Sequence, residues 1–231
     1  MNRRLLVGSL AAAVLLAGGL AAALTLSGGG SKTAATTVVD SGPISRLLDG
    51  LPQHGAVLGE PSAPVTLVEF ADPQCPYCAA WAEQALPTIV RKYVRTGKVR
   101  LVFNGMAFVG PDSETALRTA LAAGRQNRLW NVIDLLFANQ GTENTGWVTE
   151  SLLRSIGATV SGLDVERMLD ERSSDAVDRA LGQAGAFARS AGVNMTPSFA
   201  VGKTGGTLQV VRISSLDPTG LTPSLDAALG S

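Results

Sequence analysis

Val65-Thr66-Leu67-Val68-Glu69-Phe70-Ala71-Asp72-Pro73-Gln74-Cys75-Pro76-Tyr77-Cys78 decides the fold of this chain. Residues 65–71 read as a buried strand of apolar and β-branched character. The chain's two cysteines follow it, three positions apart, and a helix-like stretch begins near Ala79. A strand that delivers a Cys-x-x-Cys pair to a helix start is the setting of a redox-active dithiol.

The chemistry follows from what a helix terminus does to a thiol. Backbone N–H groups of the first turn lack intrahelical partners and carry partial positive charge, so they stabilise a thiolate at Cys75 and lower its pKa. A more acidic Cys75 is the better attacking sulfur near neutral pH and the better leaving group. Pro76 suits the first helical turn, because its φ is preset and its missing N–H has no partner to lose there. Cys78, one turn further in, is expected to be the more buried, resolving thiol. Structural zinc calls for four Cys or His ligands, whereas the chain has two cysteines and one histidine, His54, in a predicted loop. A purely structural disulfide across so short a loop would remove little unfolded-chain entropy. No metal is therefore expected.

Outward from this stretch, residues 78–96 read as a helix with Trp81, Leu86, Ile89, Val90 and Tyr93 inward, kinked rather than ended by Pro87. Residues 99–103 form a second apolar strand, parallel to the first if the helix is a right-handed crossover. From residue 113 to about 191 the apolar period becomes helical, with glycines at 141–146 and 157–162 as punctuation. Residues 198–201 and 208–213 return to strand around Gly202-Lys203-Thr204-Gly205-Gly206, a hairpin signal, and residues 216–229 close with a helix. The chain is thus α/β, with a helical insertion between the second strand and the final hairpin.

The order strand, Cys-x-x-Cys helix, strand, helical insertion, then Met195-Thr196-Pro197-Ser198-Phe199 entering a hairpin, resembles the DsbA-like branch of the thioredoxin superfamily. The similarity runs from about Gly55 to the C-terminus and is sharpest in residues 68–78. It implies a thioredoxin-like fold whose insertion covers one side of the sheet without blocking the active-site face. It implies protein thiol–disulfide exchange through a Cys75–Cys78 disulfide that opens and closes, with no cofactor. Thr196-Pro197 matches the family's cis-proline loop and, with Pro76 and Tyr77, is expected to face the substrate chain. Glu69 matches the buried acid that assists proton transfer at the resolving cysteine. The plainer reading pairs Glu69 with a base such as Arg100, and takes Trp81 as core.

Tyr77 departs from the histidine that DsbA oxidases commonly carry between the cysteines. Without that positive charge, Cys75 depends more on the helix terminus and backbone donors. A Pro-Tyr dipeptide also occurs in the more reducing glutaredoxins, so Tyr77 weakens, without reversing, the preference for an oxidase that the exported compartment gives; reductase or isomerase is the alternative. An oxidase implies a regenerating membrane quinone reductase of the DsbB or VKOR type; a reductase or isomerase implies an electron donor. The rival from another class is an anchored peptide-binding module with incidental cysteines, which the joint presence of Cys75, Cys78 and Thr196-Pro197 disfavours.

Two basic residues, Arg3 and Arg4, precede an uncharged, mainly apolar stretch at residues 5–26, about long enough to span a bilayer. Positive charge ahead of it places the remainder outside the cytoplasm. The run is longer than a usual signal-peptide core, which favours a retained anchor; Ala21-Ala22-Ala23 leaves cleavage as the alternative. Residues 27–41, rich in Gly, Ser and Thr, read as a flexible tether of roughly 20 Å reach. The globular domain is assigned to residues 42–231, opening with a short amphipathic helix that carries Ile44, Leu47, Leu48 and Leu51. Nineteen basic and nineteen acidic residues cancel, with no basic cluster past the start, which argues against nucleic-acid binding.

Overall fold

A computed structural model of the chain describes residues 37–230. The anchor expected at residues 5–26 and most of the tether expected at 27–41 lie outside the described residues. Among the described residues no helix is long and apolar enough to cross a membrane.

Helix α1 (Gly42–Leu48) leads into a hairpin of two very short strands, β1 (Gln53–His54) and β2 (Val57–Leu58). Strand β3 (Val65–Ala71) follows, buried along its whole length. Helix α2 (Pro76–Gln84), helix α3 (Leu86–Ile89) and a π-helical turn at Val90–Val94 cross over to β4 (Val99–Gly105). The sheet runs β1-β2-β4-β3, and is completed by β5 (Ser198–Lys203) and β6 (Gln209–Val211). Only β3 and β4 pair in parallel, as the crossover requires; the other neighbours are antiparallel.

β3 is central because both of its faces are apolar. Val65, Leu67 and Ala71 join the larger core, while Val68 and Phe70 pack into a second cluster on the opposite face. Pro87 does more than kink the crossover helix. The helix divides at Ala85, which stays in the right-handed helical region (φ −104°, ψ −44°), and a new helix starts at Leu86, where a residue without an N–H is tolerated in the first turn. The five inward residues expected between 81 and 93 are all buried.

Five helices fill the insertion: α4 (Pro111–Gly124), α5 (Leu129–Ala138), α6 (Glu150–Ala158), α7 (Val165–Glu171) and α8 (Asp175–Ser190). Thr149, Asp164 and Ser174 cap the last three, each accepting a first-turn backbone N–H with its side chain. Gly157 is not punctuation but part of α6, where an added Cβ would stand 3.1–3.2 Å from Val165 and Met168 of α7. The insertion also reaches both faces of the sheet rather than one. α5 packs beside α2, whereas α8 sets Phe187 against Phe70 of β3 on the other face, with ring centroids 5.4 Å apart.

The final hairpin is less regular than its sequence suggests. β5 continues through Gly202, where a Cβ would meet the Thr207 carbonyl at 2.4 Å, and β6 is only three residues long. A 3-10 turn at Pro218–Gly220 precedes α9 (Thr222–Leu229), which Tyr93 holds by donating to Asp226 at 2.7 Å. The β1–β2 hairpin, absent from the sequence reading, puts His54 on a strand and is fastened by α5: Trp130 Nε1 donates to the Ala56 carbonyl at 3.0 Å.

Candidate active site

The helix begins at Pro76, two residues ahead of the 78–96 reading and with Pro76 in its first turn as expected, which makes Cys75 its N-cap. The Cys75 carbonyl accepts from the N–H groups of Cys78 (3.1 Å) and Ala79 (3.2 Å), while its own N–H donates to the Asp72 carbonyl at 2.9 Å. Both cysteines are free thiols in this structure; Cys75 is 5 % exposed and Cys78 fully buried. The Thr196–Pro197 peptide is cis, and Cys75 Sγ donates to the Thr196 carbonyl at 3.3 Å. Around this point Pro76 is exposed, Tyr77 is 64 % and Met195 65 % exposed, and Thr196 and Pro197 are half-buried.

The two thiols differ sharply in acidity. Cys75 is lowered to about 6, chiefly by a hydrogen bond from the Cys78 thiol, with further help from the Thr196 side chain and the backbone of Cys78 and Tyr77; burial works against it. The neighbouring thiol, rather than the helix terminus alone, is therefore the main stabiliser of the thiolate. Cys78 is pushed far up by burial, by its hydrogen bond to Cys75 and by the charges of Cys75 and Glu69. One sulfur is ionised near neutral pH and the other keeps its proton.

Asp72 and Gln74, which the sequence reading passed over, hold the loop ahead of Cys75. Both are completely buried. The Asp72 carboxylate accepts four hydrogen bonds: from Gln74 N at 2.8 Å, from the Ser113 hydroxyl, and from Phe108 N and Val109 N at 3.0 Å each. Gln74 in turn donates to Ser113 and Asn144 and accepts from Asn144 N at 2.7 Å. Gln140, just past α5, donates to the carbonyls of Pro73 (2.8 Å) and Cys75 (3.1 Å). The insertion thus clamps the cysteine loop. The available signal was a polar Asp-Pro-Gln run between a buried strand and a helix, where backbone groups need side-chain partners.

Glu69 is 1 % exposed and its Oε1 has no hydrogen-bond partner. The pairing with Arg100 does not occur; Arg100 donates instead to the Thr66 hydroxyl at 2.9 Å and the Pro61 carbonyl. The carboxyl of Glu69 is raised well above the ordinary range, first by burial, then by the charges of Asp134 and Cys75. Trp81 is core, its ring tilted 45° to that of Phe199 with centroids 4.8 Å apart, although its Nε1 finds no acceptor. Among the described residues no group of three or more His, Cys, Asp or Glu side chains is placed to hold a metal ion.

A sheet that presents a Cys-x-x-Cys helix start against a cis-proline loop is thioredoxin architecture, and the thioredoxin family model matches residues 52–207. The chain belongs to the thioredoxin family. Its helical insertion gives it the DsbA-like form: it superposes on the crystal structure of oxidised BdbD from Bacillus subtilis with a TM-score of 0.66 at 22 % identity, covering 79 % of this chain and 97 % of that one. A thioredoxin-like oxidoreductase from Silicibacter pomeroyi gives 0.59 at 28 % identity, over 81 % and 97 %. In sequence, the chain is 38 % identical over 101 residues to a protein of Bacillus cereus named probable disulfide bond formation protein D, covering 43 % of this chain and 47 % of that one. The chain spans about half the length of the curated relatives of this name that it matches.

Proposed function

We propose that this protein exchanges disulfides with proteins outside the cytoplasm, acting as an oxidase through Cys75 and Cys78. The observation that carries this reading is the split acidity of the two thiols beside Thr196. A reduced form that holds one thiolate cheaply is a favourable product, which makes the disulfide form an oxidant.

In the oxidising direction a substrate thiolate attacks Cys75 Sγ. The Cys75–Cys78 bond breaks, a substrate–Cys75 bond forms, and Cys78 leaves and takes a proton. A second substrate thiolate attacks the substrate sulfur, and Cys75 leaves as a thiolate. Two electrons pass to the protein, and the substrate gains a disulfide. Exposed Pro76, Tyr77 and Met195 with Thr196 and Pro197 form the lip against which an extended substrate segment lies. Repeated turnover needs an electron acceptor, for which a membrane quinone reductase of the DsbB or VKOR type is suited. The relatives named for disulfide bond formation support this direction, as does the oxidising compartment in which such bonds persist.

Residues 5–26 are proposed to anchor the domain at the outer surface of the membrane. Full-length protein should then resist carbonate extraction, and a mature N-terminus near Leu24 would reject the anchor. For the chemistry, the test is oxidation of a reduced, unfolded disulfide protein by the full chain. Cys75→Ser should abolish catalysis, and Cys78→Ser, mixed with the same substrate in its disulfide form, should accumulate Cys75–substrate mixed disulfides that it cannot resolve. Equal trapping by both variants, or a wild type no faster than Cys75→Ser, would reject the reading.

A further inference from the structure

The floor of the site holds a second buried acid that the exchange chemistry above leaves unused. Asp134 of α5 is 5 % exposed, its Oδ1 has no hydrogen-bond partner, and neither it nor Glu69 belongs to any ion pair found among the described residues. The fold sets the two acids on adjoining surfaces. Glu69 lies opposite Phe103 in the β3–β4 register, and Phe103 meets Trp130 of α5 edge-on at 5.9 Å. Asp134 stands one turn beyond Trp130 on the same face of α5.

Asp134 also lines a groove of about 680 Å³ between α1, α2, α3 and α5, together with Ile44, Leu47, Pro76, Ala79 and Phe137. One acid therefore sits under the cysteines and the other at a wall open toward solvent. We propose that Asp134 is a positioning residue that links Glu69 to this groove, so that the proton exchanged at Cys78 passes through Glu69 and Asp134. The inference rests on the exchange reading and adds the route by which its proton travels.

Each step balances. When Cys78 leaves as a thiolate, protonated Glu69 gives it a proton and becomes a carboxylate. Asp134 reprotonates Glu69 through a water molecule entering from the groove, and groove water reprotonates Asp134; reduction of a substrate runs the same transfers backwards. The order of acidities suits this direction. Burial raises Asp134 to about 8, and Glu69 is raised further by burial and then by the Asp134 charge. Asp134 ionises first, so its charge acts on Glu69 while Glu69 is still neutral. The charged and titratable groups nearby are Glu69 on β3 and, around the groove, Glu83 on α2, Arg91 in the π-helical turn and Asp40 ahead of α1, with Cys75 and Cys78 reached through Glu69; burial is the sole cause that raises Asp134.

The experiment follows opening of the Cys75–Cys78 disulfide, in which Cys78 leaves and takes a proton, from pH 5 to 10, by mixing the oxidised full chain with dithiothreitol. Asp134→Asn should slow that step about tenfold or more at pH 7 and remove an inflection near pH 8, and Asp134→Glu should restore both. Combined with Glu69→Gln, Asp134→Asn should add nothing further, because the two act in series. Alkylation of reduced Cys75 by iodoacetamide should keep its inflection near pH 6 in all variants. An unchanged profile for Asp134→Asn, or multiplicative losses in the double variant, would overturn the route. Loss of exchange in the wild type itself would instead overturn the parent reading. Should Asp134→Asn not fold, carboxyl NMR of [13C]Asp-labelled wild type decides: the Asp134 titration should differ between oxidised and reduced protein, and identical titrations would overturn the proposal.

Discussion

Asp72 and Glu69 stand three residues apart, one at the end of β3 and the other within it, and both are buried, yet they are treated in opposite ways. Asp72 has four hydrogen-bond donors directed at its two oxygens. Glu69 has an oxygen with none, and its neighbours are another acid and two sulfurs. A fully satisfied buried carboxylate fixes geometry, whereas an unsatisfied one is held in its protonated form and becomes a proton store. The loop above the cysteines is thus held by satisfied hydrogen bonds, whereas the floor below them keeps a carboxyl that burial drives toward its protonated form.

The comparison breaks most visibly at Asp72. Asp72→Ala strips an acceptor from three backbone N–H groups and a hydroxyl, and should cost about 3 kcal/mol or more of stability in urea unfolding. Asp72→Asn should lose less. A near-neutral Asp72→Ala would show that the loop does not depend on its clamp.

A smaller effect sharpens the contrast between the two thiols. Cys75 is depressed in the folded, reduced protein, so its contribution to stability is complete above the unfolded thiol pKa and is lost as pH falls through about 6. Between pH 5 and pH 7, the stability of reduced wild type relative to Cys75→Ala should rise by about 1.4 kcal/mol, and it should continue rising toward pH 9. A flat difference would remove the thiolate from the picture. Smallest of all, Arg100→Ala should change stability by only about 0.5–1 kcal/mol and leave the pH profile of exchange untouched, because Arg100 bonds Thr66 rather than Glu69. A shifted profile would restore Arg100 as the partner of Glu69.

Short-range chemistry was legible in the chain. The buried run at residues 65–71, the cysteine pair ahead of a helix, the helical period of the insertion and the threonine–proline entry to the last hairpin each carry their signal within a few residues. The β1–β2 hairpin carried none, since strands of two residues are too short to show an alternation. The burial of Asp134 had a weak signal: an aspartate among Leu129, Trp130, Val132, Ile133, Leu135, Leu136 and Phe137 interrupts a helix that is apolar on every side. A helix read as amphipathic would have placed it outward.

The sequence by itself determined the family resemblance, the strand–helix junction that puts the Cys-x-x-Cys pair near a helix start, and the two sulfurs proposed to react. These depend on local propensity and spacing. Only the tertiary structure decided that the insertion embraces both faces of the sheet, that Asp72, Gln74, Ser113 and Asn144 form one network, and that Glu69 is buried within the field of Asp134 instead of pairing with Arg100. Those partners lie 39 to 70 residues apart in the chain. Whether a buried carboxyl finds donors or keeps its proton is settled by which distant side chains the packing brings to it, and no local pattern encodes that.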